Sequence, residues 1–306
     1  MSLAVVFPGQ GSQSVGMLRE LAAAEPVVTE TFAEASEVLG YDLWRLCQEG
    51  PESELNATER TQPAMLAAGV AVWRAWTAKG APRPACLAGH SLGEFTALVC
   101  GGALAFRDAV DVVQFRGRAM QEAMPPGQGA MAAVLGLEDA EVEAACREAA
   151  QGQVVEPVNY NSPGQLVIAG DAAAVARALE ACKARGAKRA LALPVSVPSH
   201  SSLMRGAGER LREKLAGVTI ATPSIEVYAI ALGRHATPEQ IRANLVAQLS
   251  GPVRWSDTVR DMVSRGVTRI VECGPGKVLT GLNRRIDKSP TLLAIEDPAG
   301  LAAALA

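Results

Sequence analysis

The sequence predicts an α/β protein, with a larger unit on a mainly parallel sheet and a small inserted unit of βαββαβ order. Three observations carry this. Short apolar runs alternate with longer stretches of helical periodicity, the pattern of parallel strands joined by crossover helices. Between about 126 and 194 the order changes to strand, helix, two strands, helix, strand. The 306 residues, 49% of them hydrophobic, suffice for one large domain with an insertion, or for two domains.

Taken in order, LAVVF (3–7) reads as a buried strand followed by the glycine loop PGQGSQSVGM. Of the helical stretches that follow, QPAMLAAGVAVWRAW (62–76) is the clearest. ACLAG (85–89) is a short buried strand that ends beside a serine. SLGEFTALVCGG reads as a helix closed by glycines, and another helix covers 107–124 until PPG breaks it. GAMAAVLGL, EDAEVEAACREAA, VVEPVNYN, QLVIAG, DAAAVARALEACKARG and AKRALAL then supply the six elements of the insertion. Their order is the split βαβ arrangement of a ferredoxin-like unit, which places a small domain at 126–194 and the large domain at 1–125 and 195–306. After it come the loop PVSVPSHSSLM, a helix, the strand SIEVYAI and the helix ATPEQIRANLVAQL, which opens on a capping box of Thr237, Pro238 and Gln240. TRIVECG is one more buried strand.

Composition excludes several classes. A net charge of -3 gives no overall attraction to nucleic acid or to an anionic membrane. The six cysteines are scattered without a CxxC pair, so neither zinc nor a disulfide framework is expected, and free thiols in a reducing cytoplasm fit best. MSLAVVFPGQ has no basic leader, and runs such as TALVCGGALAF fall short of the ~18 residues a bilayer span needs. The expectation is a cytoplasmic protein with no nucleic-acid or membrane partner.

Chemistry concentrates around Gly89-His90-Ser91-Leu92-Gly93, a G-x-S-x-G stretch between a strand and a helix. Such a corner holds a nucleophile at the positive end of the following helix; the plainer alternative is a serine N-cap. A base must come from three histidines. His90 is adjacent to the serine, so its ring should diverge from the hydroxyl. His235, just before the capped helix, reads as a solvated loop histidine. His200, in a loop leaving an apolar strand, is the better base. No carboxylate is obviously placed to complete a triad, so a main-chain carbonyl can hold the imidazole N–H, which argues against an ordinary hydrolase.

Neither glycine loop binds nucleotide by its spacing. FPGQGSQSVG misses the third glycine of a dinucleotide loop, and VECGPGKVLT misses a phosphate loop. The first loop can still turn an N–H, such as that of Gln10, toward the Ser91 oxygen. In FRDAVDVVQFRGRAMQEAM, Arg116 sits on the apolar stripe of Val112, Val113, Ala119 and Met120. A buried guanidinium must meet an anion or several carbonyls. It is either a structural ion pair or a fork for a substrate carboxylate, and beside an acyl-transfer serine the fork is preferred.

Together FPGQGSQ (7–13), GHSLGE (89–94), FRG (115–117), NYNSPGQ (159–165), PVSVPSH (194–200) and GPGKVLTGL (274–282) resemble the malonyl-CoA:acyl carrier protein transacylases of fatty-acid synthesis, in that family's order. The resemblance implies an α/β-hydrolase-like large domain carrying the ferredoxin-like insertion. It implies Ser91 as nucleophile, His200 as base, backbone N–H groups of Gln10 and Leu92 as the oxyanion hole, and the Gln248 carbonyl orienting the histidine. Arg116 would pair with the malonyl carboxylate, with Asn159 and Asn161 lining the site from the small domain. The implied reaction is ping-pong: malonyl passes from malonyl-CoA to Ser91, then to the thiol of holo-acyl carrier protein, with no metal or cofactor. The enzyme is expected to be a monomer. Carrier proteins are acidic, so Lys183, Arg185, Lys188, Arg189, Arg284, Arg285 and Lys288 are candidates for the docking rim. One departure stands out, IEVYAIALG where relatives carry an asparagine motif, which leaves contacts around Tyr228 and Ala229 open. The rival classes are a serine hydrolase such as a thioesterase or esterase, and a catalytically idle carrier-binding module.

Overall fold

The computed structural model describes residues 2–195, 197–230 and 233–306. Ser196 of PVSVPSH, and Ala231 and Leu232 of IEVYAIALG, lie outside the described residues. The strands in chain order are β1 Ser2–Phe7, β2 Cys86–Gly89, β3 Gly129–Leu135, β4 Val155–Ser162, β5 Gln165–Asp171, β6 Arg189–Ala192, β7 Glu226–Tyr228, β8 Arg234–His235, β9 Val267–Cys273 and β10 Thr291–Ile295.

They form two sheets. The larger has the order β10-β9-β1-β2-β7-β8, parallel throughout except that β8 runs antiparallel to β7. β1 and β2 are apolar on both faces because helices cover both. Leu3, Val5, Phe7 and Leu87 face one core with the long helix Thr58–Ala78 and the helix Phe106–Glu122. Ala4, Val6, Cys86 and Ala88 face the other, with the helix Trp255–Ser264.

The second sheet is antiparallel, in the order β4-β5-β3-β6. One face packs on the helices Asp139–Ala150 and Ala172–Ala184 through Val134, Val142, Ile168, Val175 and Cys182. This sheet is joined to the rest beside β4. Tyr160 N–H donates to the Val253 carbonyl at 2.9 Å, and Val253 N–H to the Val158 carbonyl at 2.8 Å.

The helix Pro238–Ala247 starts as the capping box predicts, with Thr237 Oγ1 accepting from Gln240 N–H at 3.3 Å. In IEVYAIALG the strand is shorter than predicted, three residues, and Ala229 N–H donates to the Gly233 carbonyl at 3.2 Å. Tyr228 Oη donates to Asp261 Oδ2 at 2.7 Å. The cysteines are all free, and all but Cys100 are buried. Among the described residues no helix is long and apolar enough to cross a membrane.

Candidate active site

The site lies at the carboxyl ends of the central strands, where open parallel sheets place their ligand crevices. β2 ends at Gly89, and the helix Gly93–Cys100 starts four residues later. Ser91 between them has φ of +51°, the strained left-handed conformation of a sharp corner. Glycine is obligatory on either side. A Cβ on Gly89 would lie 1.8 Å from the Gly93 carbonyl carbon, and one on Gly93 would lie 2.1 Å from the Phe7 carbonyl oxygen. The loop after β1 presses on the same corner, since a Cβ on Gly9 would stand 2.4 Å from the His90 carbonyl oxygen.

His200 comes from the opposite side, on the loop before the helix Arg205–Ala216, with φ of +68°. Its N–H donates to the Leu249 carbonyl at 3.0 Å. Ser202 ties down the next turn by donating to Glu156 of β4, from its N–H at 2.7 Å and its Oγ at 2.8 Å. The ring lies between Ser91 Oγ, 2.7 Å from Nε2, and the Gln248 carbonyl, 2.8 Å from Nδ1. A carbonyl only accepts, so Nδ1 carries the proton and Nε2 is left to accept the serine O–H. This is the tautomer a general base needs, and it is imposed without a carboxylate. Burial, then the Arg116 charge, push the His200 pKa down to about 3 against the pull of the Gln248 carbonyl. The base is therefore neutral at physiological pH.

Arg116 projects from the helix Phe106–Glu122 and is 1% exposed. Its Nη1 donates to Gln62 Oε1 at 2.8 Å, and its Nη2 to Gln248 Oε1 at 2.7 Å, with Nη2 standing 3.5 Å from Ser91 Oγ. Among the described residues it makes no ion pair, and its buried Nε has no partner. Burial lowers its pKa to about 10, opposed by Glu94, so the charge persists. Two neutral carbonyls hold the guanidinium in place and leave donors facing the serine.

The remaining residues predicted from sequence divide. The Leu92 N–H lies at the helix N-terminus, where Gly93 and Glu94 N–H groups already turn back to the His90 and Ser91 carbonyls. Gln10 is exposed, with its side chain reaching Thr58 Oγ1 at 3.4 Å. Asn161 is buried and accepts at Oδ1 from His90 Nε2, 2.8 Å away, which turns the His90 ring away from Ser91 as expected. Asn159 has a buried Oδ1 without a partner among the described residues, and its backbone bridges to Val253.

His235 overturns its expectation as a solvated histidine. It is 5% exposed, and its Nε2 lies 2.6 Å from Glu94 Oε1. The reason is strand alternation on β8, which directs Arg234 outward and His235 inward. Three site residues escaped the sequence reading: Gln62, Glu94 and the Gln248 side chain. Each is a polar residue 1% exposed, and the only sequence signal for the first two was polarity within an apolar helical run. The VECGPGKVLT loop also gains an explanation. Glu272, at the end of β9, accepts from Leu279 N–H at 3.0 Å, Thr280 N–H at 2.7 Å and Thr280 Oγ1 at 2.7 Å. The protein's own carboxylate fills the helix N-terminus that a phosphate would need.

The sequence profile of the acyl transferase domain family matches residues 4–291. The chain is 56% identical to the malonyl CoA-acyl carrier protein transacylase of Escherichia coli K12 over 303 residues, covering 99% of this chain and 98% of that protein. Against the Bacillus subtilis transacylase of the same name, identity is 42% over 97% of this chain and 94% of that one. A solved complex of a type II PKS acyl-carrier protein with its malonyl-transacylase superposes with a TM-score of 0.98 at 54% identity, covering 100% and 99% of the two chains. An acyl carrier protein S-malonyltransferase from Vibrio cholerae gives 0.96 at 54% identity, covering 99% of each.

Proposed function

The chain belongs to the acyl transferase domain family, and on that premise we propose how it moves malonyl from coenzyme A to acyl carrier protein for fatty-acid synthesis. Ser91 is the nucleophile and His200 the base. Nε2 takes the serine proton as Oγ bonds to the thioester carbonyl carbon. The Leu92 and Gln10 N–H groups receive the resulting oxyanion, each such donor being worth about 3 kcal/mol. The C–S bond then breaks, and the imidazolium returns its proton to the departing coenzyme A sulfur. The phosphopantetheine thiol of the carrier protein reverses these steps: it gives its proton to His200, attacks the malonyl ester and leaves Ser91 protonated. No step as written calls for a metal or cofactor.

The observation that carries this reading is the charged, carboxylate-free fork of Arg116 at 3.5 Å from Ser91 Oγ. An acyl group whose carboxylate lies one methylene beyond the ester carbonyl satisfies it, whereas acetyl leaves a buried charge unmatched. Asn161, through His90, borders the crevice from the small sheet, and we assign Asn159 a place on the same wall. The large unit, 1–125 and 195–306, is read as hydrolase-like, and 126–194 as a ferredoxin-like insertion; the β4-β5-β3-β6 order supports the second assignment. We place the reaction in the cytoplasm, with the enzyme acting as a monomer.

Intact-protein mass spectrometry after malonyl-CoA tests the proposal. A malonyl adduct should form on the wild-type chain, persist without carrier protein and disappear when holo-carrier protein is added. S91A should form none. R116A should lose malonylation by about a hundredfold, the cost of a lost charged pair, with far less loss of acetylation. Rapid release of free malonate without carrier protein would make the chain a hydrolase, and equal losses for both acyl groups would remove the clamp.

A further inference from the structure

Behind Ser91 lie a buried histidine and a buried carboxylate that the transfer chemistry does not use. Glu94, 1% exposed, follows the nucleophile by three residues on the elbow helix. Its Oε1 accepts from His235 Nε2 at 2.6 Å, and its Oε2 from Gln248 Nε2 at 2.7 Å. Asn244 Nδ2 stands 3.3 Å from His235 Nδ1, so Nδ1 accepts and Nε2 carries the proton donated to Glu94. The same Gln248 accepts from Arg116 through Oε1 and from His200 through its main-chain carbonyl.

A carboxamide has two ends of nearly equal shape, so its neighbours decide which way it points. An ionised carboxylate only accepts. Glu94, by the shorter bond, and the Ser91 carbonyl, 3.2 Å away, therefore both take the NH2 end of Gln248 and turn Oε1 toward Arg116. With the amide flipped, its NH2 would face the guanidinium, donor against donor, and its oxygen would face Glu94. The arrangement also sets a negative charge one side chain away from Arg116, where it sustains the guanidinium without occupying its donors.

We propose that His235 and Glu94 are positioning residues: the pair sets the Gln248 carboxamide so that Arg116 keeps its charge and its free donors for a carboxylated acyl group. This rests on the assignment of Arg116 as the carboxylate fork. Neither residue touches the acyl group.

The test uses H235M and H235Q, matched in bulk but differing in the donor, together with E94Q. Single-turnover acylation of Ser91 from malonyl-CoA and from acetyl-CoA is followed by intact mass. H235M and E94Q should slow malonylation about tenfold and acetylation under about threefold, the size expected for one misplaced charge-assisted hydrogen bond. H235Q, whose amide can donate where the imidazole did, should restore the wild-type ratio. Equal slowing of both reactions, an unchanged ratio in E94Q, or H235M indistinguishable from H235Q overturns the proposal. Should E94Q fail to fold, the H235M and H235Q pair decides. A wild-type chain that never carries malonyl on Ser91 defeats the reading of the site instead.

Discussion

At the residue scale, the base is set by where His200 is held rather than by a partner acid. Its Nδ1–H is committed to the Gln248 carbonyl, and burial with the Arg116 charge keeps the ring unprotonated far below the usual 6.5. The folded pKa is depressed, so between about 3 and 6.5 the unfolded chain binds the proton and the folded chain does not. This site's stabilising contribution is full above 6.5 and declines as pH falls toward 3. The rate of Ser91 malonylation should stay level as pH falls through 6.5, with its acid limb well below. R116M removes the nearby charge and should move that limb upward. A wild-type limb centred on 6.5 would show that the ring is solvated and that this account of the base is wrong. Ser91 was legible from its glycine-flanked corner between strand and helix, His200 by elimination among three histidines, and Arg116 because a charge on an apolar stripe is costly without a chemical reason. His235 was misread because a two-residue edge strand leaves no periodicity to show which side is buried.

At the element scale, helix N-termini divide into one that stays available and one that is closed. The elbow helix Gly93–Cys100 keeps its start next to the nucleophile, while the start of the helix Val278–Ile286 is capped from within by Glu272. Loss of three charge-assisted bonds in E272A should cost about 2–3 kcal/mol, or roughly 3–5 °C in Tm for a chain of this size. Ser91 malonylation per folded molecule should be unchanged. Thermal unfolding by circular dichroism checks the first part; a Tm within about 1 °C of wild type would show the cap to be dispensable. Strand and helix existence was readable throughout the βαββαβ segment, where short apolar runs bounded by turn residues alternate with helical periodicity. The short β8 and the moderately buried β10 were not, because their stability comes from pairing with β7 and β9 rather than from their own composition.

At the scale of the whole molecule, the candidate docking cations separate by their partners. Arg185 is tied to Glu141 and Glu148, Lys183 to Glu180, and Arg285 donates to Gln165 across to the small sheet. Lys188, Arg189, Arg284 and Lys288 are exposed and make no ion pair among the described residues. An acidic carrier protein should be met by the second group. Charge reversal at these four positions should raise the KM for holo-carrier protein about tenfold or more at low salt, an effect shrinking as ionic strength rises. Malonylation of Ser91 from malonyl-CoA should be unaffected. Steady-state kinetics with carrier protein at two salt concentrations check this, and an unchanged KM would move the docking face elsewhere.

The linear chain by itself determined the parallel sheet, the βαββαβ order of the second sheet, the strained serine corner and the anomaly of an arginine on an apolar stripe. These follow from local sterics and periodicity, which neighbouring residues encode. Only the tertiary structure decided that Arg116 meets two carboxamide oxygens and no carboxylate, and that His235 and Glu94 lie behind it. Those contacts join residues between 54 and 154 positions apart. Hydrogen-bond partners at such separations are chosen by packing and by the exclusion of water, neither of which a local pattern records.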